Sequence, residues 1–391
     1  MPRFDGAVYI DSPISAAVCQ VAPFYRQGVF SDARTPLFMR RRLGGGFGLA
    51  AKLWPGDVSI TPVGRGAAGR LPVHRGGAVF YPFNGQGNLH TVANRSYRHV
   101  LVLHGESNKR ASARPAARLY DYVCVAGDLA VDRYLAGGIF QQRDVELGRL
   151  IRVGDTFVQS LGSYRADPAN GEAILYAPTW EGYGGVTNDY STVARGGLDM
   201  AEEALKQTGR SCLVIRPHPY LGLLRPSLVR TLVSQACQLA ARYKVLFDLG
   251  DANMLTRSAV RIAMLSRRAP AAAAESGPGM GYASGSESLA LCLCDISAME
   301  AICLKARLPH LILAPNFVTP PQIREFYARK AVVNVDDVRS RLAAYLAEPE
   351  DVDMPHRRAT FSVSHPDLAA ADGAQRIDRL LKIVADNEFW R

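Results

Sequence analysis

The sequence has no long hydrophobic run. None of its apolar stretches approaches the roughly 18–20 residues that a membrane-spanning helix needs. Asp11 and Pro13 break the first apolar run, which argues against a signal peptide. The seven cysteines are an odd number without the spacing of a disulfide framework, and we interpret them as reduced thiols. These absences predict a cytoplasmic protein.

The usual signatures of cofactor and metal sites are also missing. The glycine-rich stretches 44–46 and 84–88 match neither a Walker loop nor a dinucleotide fingerprint. Cys292 and Cys294 have no second cysteine pair, so a zinc site is not expected. The Asp-x-Asp triplet 351–353 falls in a predicted loop after Pro349, and we do not assign a metal to it. We therefore expect no metal and no bound cofactor.

What the chain does contain is a repeated α/β pattern. Its 391 residues, 48% of them hydrophobic, are enough for about two domains with separate cores. A short apolar run, a small-residue turn and a helix recur along both halves, as in parallel doubly wound sheets. We predict an α/β fold of two Rossmann-like doubly wound domains facing across a cleft. The expected limits are 1–168 for a basic acceptor-side or membrane-side domain, 169–350 for a nucleotide-binding domain, and 351–391 for a helical tail.

The pattern predicts individual elements. The expected strands are Ala7–Ile10, Ala78–Tyr81, Val100–Leu103, Tyr122–Val125, Leu150–Val153, Ile174–Ala177, Cys212–Ile215, Lys244–Leu249, Leu289–Cys294 and Pro309–Leu313. The expected helices include Ser191–Gln207, a segment from about Pro226 to Tyr243, Val338–Leu346 and Ala374–Ala385. Residues 37–53 are interpreted as an amphipathic, glycine-broken stretch, and 269–287 as a flexible surface insertion.

The net charge of +10 is unevenly distributed. Residues 1–165 hold 21 basic and 11 acidic residues, and the remainder holds 25 of each. The basic part includes the cluster Arg40, Arg41 and Arg42. Such a lobe fits a polyanion, an anionic membrane surface or nucleic acid, although a solvated, solubilising face has the same composition.

The stretch 211–220 is the most informative one for function. The apolar run Cys212–Ile215 predicts a buried strand, and the two prolines that follow prevent the ladder from continuing. Arg216 and His218 are thus expected on a stiff loop beyond the carboxyl end of the strand, where open α/β sheets bind ligands. Both side chains suit an anionic, phosphorylated substrate, and an ordinary proline-bounded turn is the alternative.

Three other strand ends carry polar residues. His104 precedes a glycine and has a pKa range suited to a general base, and Lys109 follows it in the same loop. Thr179 follows the strand Ile174–Ala177. Asp295 ends another strand, and Ser297 is predicted to cap the next helix, whose amides favour phosphate. Glu300, one turn further on, is a candidate for ribose binding. Each residue also has a purely structural interpretation.

Together these motifs resemble the CDP-glycerol glycerophosphotransferase family of teichoic-acid primases and polymerases. The resemblance spans about residues 75–315 and rests on His104, Gly105 and Lys109, and on the stretches 119–121, 175–180, 216–219 and 295–297. Asn108 stands where close relatives favour Asp, and Ala298 replaces a second hydroxyl residue of the family's last motif.

The resemblance implies a GT-B fold and a metal-free reaction at the cytoplasmic membrane face. A polyol phosphate, expected to be glycerol phosphate, would pass from a CDP-activated donor to a hydroxyl of a lipid-linked glycan or growing polymer, releasing CMP. His104 would be the base, and Arg216 or His218 would neutralise the departing CMP. Lys109, Thr179, Asp295, Ser297 and Glu300 would hold the donor.

The alternatives are a GT-B glycosyltransferase that uses a nucleotide sugar and a non-catalytic basic module. Nucleic acid is not an expected partner, because basic residues interleaved with aromatics are missing.

Overall fold

The chain forms two compact units, each built on a parallel β-sheet. The computed structural model describes residues 3–12, 17–41, 59–109, 112–154, 160–182, 189–250, 252–266, 277–314, 321–369 and 373–387. The first unit comprises residues 1–106, 110–159 and 358–391, and the second comprises 107–109 and 160–357. Residues 107–109 therefore pack with the second unit, although their neighbours in sequence on both sides belong to the first.

Seven strands of the described residues form the sheet of the first unit. They are β1 (Phe4–Ile10), β2 (Leu37–Arg40), β3 (Ile60–Val63), β4 (Val73–Tyr81), β5 (Arg98–Leu101), β6 (Tyr122–Val125) and β7 (Leu150–Arg152). All neighbours pair in parallel in the order β3-β2-β1-β4-β5-β6-β7. The order reverses between β1 and β4, and ligands of doubly wound sheets bind at the carboxyl edge of such a point.

The described residues of the second unit form an eight-stranded sheet. Its strands are β8 (Arg165–Ala166), β9 (Ala173–Ala177), β10 (Cys212–Ile215), β11 (Lys244–Phe247), β12 (Gly279–Tyr282), β13 (Ser288–Asp295), β14 (His310–Leu313) and β15 (Ala331–Val332). They pair in parallel in the order β12-β11-β10-β9-β13-β14-β15, and β8 adds to β13. Here the order reverses between β9 and β13, the strands that end beside Thr179 and at Asp295.

Helices connect the strands in both units. They are α1 (Ala17–Arg26), α2 (Leu89–Val92), α3 (Asp128–Ala136), α4 (Gln142–Glu146), α5 (Gly197–Thr208), α6 (Ser227–Leu239), α7 (Met254–Leu265), α8 (Ala298–Ala306), α9 (Pro321–Tyr327), α10 (Val335–Ala347), α11 (Pro349–Thr360), α12 (Pro366–Ala369) and α13 (Gly373–Asp386). Among the residues described, no helix combines the length and hydropathy that crossing a membrane requires.

Burial on both faces explains the short apolar strands. Every residue of β6, β9 and β10 is buried, as expected for parallel strands that helices cover on both sides. In the first unit, residues of α13 such as Leu380 and Val384 pack into the core on one face of the sheet. A second core, around Tyr81 and Tyr120, lies on the other face. The predicted α/β fold with two Rossmann-like units is confirmed.

Four local predictions are wrong. Leu37–Arg40 is a strand, because three consecutive buried residues insert it between β1 and β3 rather than exposing one helical face. Part of the expected flexible insertion forms β12, which pairs with β11. The triplet 351–353 lies in α11, where Asp353 is buried against Lys330. The helix expected from Ser191 begins only at Gly197, because Thr192 is held in a loop by Asp295.

Candidate functional site

Asp295 organises the point where the strand order of the second sheet reverses. It is fully buried at the end of β13. One carboxylate oxygen, Oδ2, accepts the backbone N–H groups of Thr179 at 2.7 Å and Thr192 at 3.2 Å, and Oδ1 accepts the Thr192 hydroxyl. Burial raises the pKa of Asp295 to about 7, against the opposing effect of these bonds and of Lys109. Both carboxylate oxygens of Asp295 therefore already accept hydrogen bonds from within the protein.

Lys109, in the segment 107–109, lies beside the same strand ends of the second sheet. Its Nζ atom donates to the Thr179 hydroxyl at 2.6 Å and lies 5.6 Å from the centroid of the Tyr190 ring. Burial lowers the pKa of Lys109 to about 8, although the nearby Asp295 and Asp189 carboxylates oppose the shift. An ammonium group is therefore held beside a threonine at the carboxyl end of β9, where it suits a phosphate oxygen.

Ser297 caps α8, as the sequence predicts. Its Oγ atom accepts the backbone N–H of Met299 at 3.2 Å, and its backbone is extended. Ser297 lies two residues beyond Asp295, so the start of α8 and the end of β9 belong to the same edge of the second sheet. The positive end of the helix dipole and the Lys109 ammonium are both features that favour an anion.

His218 has a defined hydrogen-bonding state. Its Nδ1 atom accepts the backbone N–H of Tyr220 at 3.0 Å, and since that N–H can only donate, Nε2 carries the proton of the neutral ring. The backbone N–H of His218 donates to the Pro178 carbonyl at 3.0 Å, which ties this loop to the one after β9. Trp180 stacks on the imidazole, with ring centroids 5.9 Å apart and planes 17° apart.

His104 has the opposite arrangement. It follows β5 in the first unit, after Leu103, whose φ of 58° is uncommon for a residue other than glycine. The His104 Nδ1 atom lies 2.9 Å from the Pro82 carbonyl, which can only accept, so Nδ1 carries the proton and Nε2 keeps a lone pair. The residue is exposed, but the protein packed around its ring, including Phe83 with the ring centroids 4.6 Å apart, still lowers its pKa.

Arg216 is bound within the protein. Its Nε atom donates to Asp248 at 2.6 Å and one terminal nitrogen donates to the Leu161 carbonyl at 3.0 Å. The guanidinium lies 4.8 Å from the centroid of the Tyr164 ring. Burial alone would raise the pKa of Asp248, but the charge and hydrogen bonds of Arg216 and its other partners bring it below the usual value. The contacts of Arg216 with Asp248 and Leu161 therefore hold the loop after β10 in place.

Glu300 lies in a buried polar network. It is 2% exposed, and its Oε2 atom accepts from the Tyr327 hydroxyl at 2.7 Å and from the Asn108 amide at 3.1 Å. Burial raises the pKa of Glu300. An aspartate in place of Asn108 would set a second carboxylate against Glu300. The asparagine found here avoids that repulsion, because its amide donates to the Glu300 carboxylate.

The network continues to a buried lysine that sequence reasoning missed. Lys330 is fully buried and donates to His310 Nε2 at 2.8 Å, His356 Nδ1 at 2.9 Å and Asp353 Oδ1 at 3.0 Å. Its three N–H groups thus meet three acceptors. The Nε2 atom of His356 lies 3.5 Å from Glu300 Oε1. Asp353 and His356 lie in α11, His310 in β14 and Glu300 in α8. Only the Asp-x-Asp triplet gave any signal in the sequence, and the sequence interpretation discounted it.

The basic cluster is only partly described. The side chain of Arg40 is 15% exposed and lies 3.6 Å from Asp11, so it does not face a surface ligand. Arg41 is exposed, and Arg42 lies outside the described residues. Within the stretch 37–53, Phe38 and Met39 are buried in β2, and residues 42–53 lie outside the described ranges.

The fold is similar to those of several solved enzymes. The chain matches a UDP-N-acetylglucosamine 2-epimerase of Listeria monocytogenes at 11% identity and a TM-score of 0.52, over 97% of this chain and 95% of that one. It matches the S. aureus MnaA structure with UDP at 10% identity and a TM-score of 0.52, over 98% and 96%. It matches a variant of the wall teichoic acid polymerase TagF at 11% identity and a TM-score of 0.50, over 100% and 91%.

At these identities the likeness establishes a GT-B-like fold. No protein-family model matches the chain, and no curated protein matches it in sequence.

Proposed function

We propose that this protein transfers a polyol phosphate from a CDP-activated donor to a hydroxyl of a lipid-linked glycan or growing polymer and releases CMP. Glycerol phosphate is the first candidate for the transferred group. The observation that carries the proposal is the opposite hydrogen bonding of the two histidines: His104 keeps a lone pair on Nε2, and His218 carries a proton there. One ring suits proton removal and the other suits donation to a phosphate oxygen.

The proposed step balances as a phosphoryl transfer. The acceptor oxygen attacks the β-phosphorus of the donor, and its proton passes to Nε2 of His104. The bond between the β-phosphorus and the bridging oxygen breaks, and CMP leaves with the electron pair. The Nε2–H group of His218 stabilises the charge on the phosphate oxygens.

The remaining residues receive narrower roles than the sequence predicted. Lys109, Thr179 and Ser297 with the first amides of α8 are proposed to contact the donor phosphates. Asp295 is proposed to position Thr179 and Thr192, since its oxygens already accept their N–H groups. Arg216 and Glu300 are proposed to position the loops that carry His218 and Lys109, rather than to touch the donor.

Donor profiling tests the proposal. Purified full-length protein is incubated with a lipid-linked acceptor and, separately, with CDP-glycerol, CDP-ribitol and common UDP-sugars, and the released nucleotide is quantified by chromatography. We expect CMP from a CDP-polyol and no nucleotide from UDP-sugars. Release of UDP would instead support a nucleotide-sugar glycosyltransferase, and no release from any donor would support the non-catalytic basic module. A His104→Ala, His218→Ala double variant controls for contaminating hydrolases.

A further inference from the structure

Six large aliphatic side chains are exposed on one loop and one helix of the second unit. They are Leu223, Leu224, Met254, Leu255, Ile262 and Leu265, with exposed fractions between 43% and 73%. We call this set the apolar face. Single exposed apolar residues are ordinary, but a group on adjacent elements is typical of an interaction site.

The loop and the helix are fixed to each other. Asn253 caps α7 by accepting the Thr256 N–H at 3.0 Å. Its amide also donates to the carbonyls of Pro219 at 2.8 Å and Leu221 at 2.9 Å, immediately before Leu223 and Leu224. A methyl group placed on Gly222 would lie 3.4 Å from the Leu255 side chain, so the loop backbone runs directly beside α7.

The helix α7 is apolar on two sides. Thr256, Val260 and Ala263 are buried, with Val260 and Ala263 in the core of the second unit. Met254, Ile262 and Leu265 are spaced eight and three residues apart and are exposed together on another side. A helix that faces only water carries polar residues on its outer side. The outer side of α7 is therefore suited to an apolar partner.

Two arginines on α6 and α7 carry charge that no described ion pair neutralises. Residues 221–266 contain six basic residues, of which Arg225 pairs with Asp189 and Arg242 with Glu202, and two acidic ones, Asp248 and Asp251. Asp248 is paired with Arg216. Arg230 on α6 and Arg261 on α7 are exposed and form no ion pair among the residues that the structure describes.

We propose that the apolar face binds an anionic lipid bilayer. Its aliphatic side chains would enter the boundary between headgroups and acyl chains, while Arg230 and Arg261 contact lipid phosphates. A second copy of the chain is a poorer partner, since a two-fold contact would set the same arginines against each other. Nucleic acid fits less well, because none of the six side chains is aromatic. The inference does not rest on the proposed reaction, since binding is measured without donor or acceptor.

Vesicle sedimentation tests this assignment. Purified full-length protein is mixed with vesicles of phosphatidylglycerol and phosphatidylcholine, or of phosphatidylcholine alone, at low and high salt. We expect binding to the anionic vesicles that weakens with salt. The double substitution Ile262→Glu, Leu265→Glu should lower the partition coefficient about tenfold or more. The matched pair Leu89→Glu, Leu147→Glu, on exposed leucines of the first unit, should leave it unchanged.

Several outcomes would overturn the assignment. These are no binding to anionic vesicles, equal loss of binding in both double variants, or loss through Arg41→Gln while the Ile262 and Leu265 variant still binds. A concentration-dependent dimer that only the Ile262 and Leu265 variant loses would identify a second copy as the partner. Salt-sensitive binding of RNA or DNA that depends on these residues would identify nucleic acid. Circular dichroism melting confirms that each variant is folded.

Discussion

The Asp295 carboxylate accepts the backbone N–H of Thr179 at 2.7 Å and so joins the carboxyl ends of β9 and β13. These are the strands between which the order of the second sheet reverses. Thr179 in turn accepts a hydrogen bond from Lys109. A buried carboxylate thereby positions the hydroxyl and ammonium groups that are proposed to hold phosphate.

Ionisation of Asp295 should reduce the stability of the fold as the pH rises. Its folded pKa of about 7 lies above that of the unfolded chain, so the folded state binds more protons between about pH 4 and pH 7. Asp295→Asn mimics the protonated form, and its free energy of unfolding relative to wild type should improve over that range by at most about 4 kcal/mol. Urea denaturation at several pH values measures this difference. Asp5→Asn, at an exposed position, should show no such trend, and a flat difference for Asp295→Asn would contradict the assignment.

The two histidines should respond differently to glutamine. Alanine at either position should reduce kcat by about 10²–10⁴-fold. A glutamine amide can place an N–H near the position of Nε2 but cannot accept a proton. His218→Gln should therefore recover part of the lost activity, whereas His104→Gln should remain as slow as His104→Ala. Steady-state release of CMP measures both. Equal recovery at both positions, or near-wild-type activity of the alanine variants, would refute the assigned roles.

The activity should depend on pH through His104 and Lys109. His104 must be neutral to act as a base, and the lowering of its pKa by the surrounding protein extends the acidic range over which it stays neutral. Lys109 must be charged to hold phosphate, and its pKa of about 8 predicts a decline in kcat/KM above that pH. Lys109→Arg preserves the charge and should remove the alkaline decline while leaving the acid limb in place. An unchanged alkaline limb in Lys109→Arg would assign that limb to another group.

Arg216 should matter for stability rather than donor affinity. Arg216→Ala would leave Asp248 without its main partner, at a cost of about 1–3 kcal/mol in the free energy of unfolding. Since the guanidinium is already bound to Asp248 and Leu161, the KM for the donor should change less than about threefold where the variant is folded. Arg165→Ala, at an exposed arginine, is the matched control and should change stability by about 0.5 kcal/mol or less. A large rise in KM without loss of stability would place Arg216 at the donor.

Local patterns determined much of the fold. The strands Tyr122–Val125 and Cys212–Ile215 have the predicted bounds, because short apolar runs between turn residues leave few other conformations for a buried strand. Leu37–Arg40 was mistaken for part of an amphipathic stretch because four residues are too few to separate a helical period from a strand. Backbone hydrogen bonds to the neighbouring strands β1 and β3 make this segment a strand.

By itself the sequence determined the α/β class, the strand ends that carry His104, Thr179, His218 and Asp295, and the cap at Ser297, since each depends on residues close in the chain. Only the tertiary structure decided what those side chains do. Asp248 binds Arg216 from 32 residues away, and Asn108 reaches Glu300 across 192 residues. The hydrogen-bond partner that sets the protonated nitrogen of His104 lies 22 residues away, at Pro82. Partners at such separations are chosen by packing, and no local pattern encodes them.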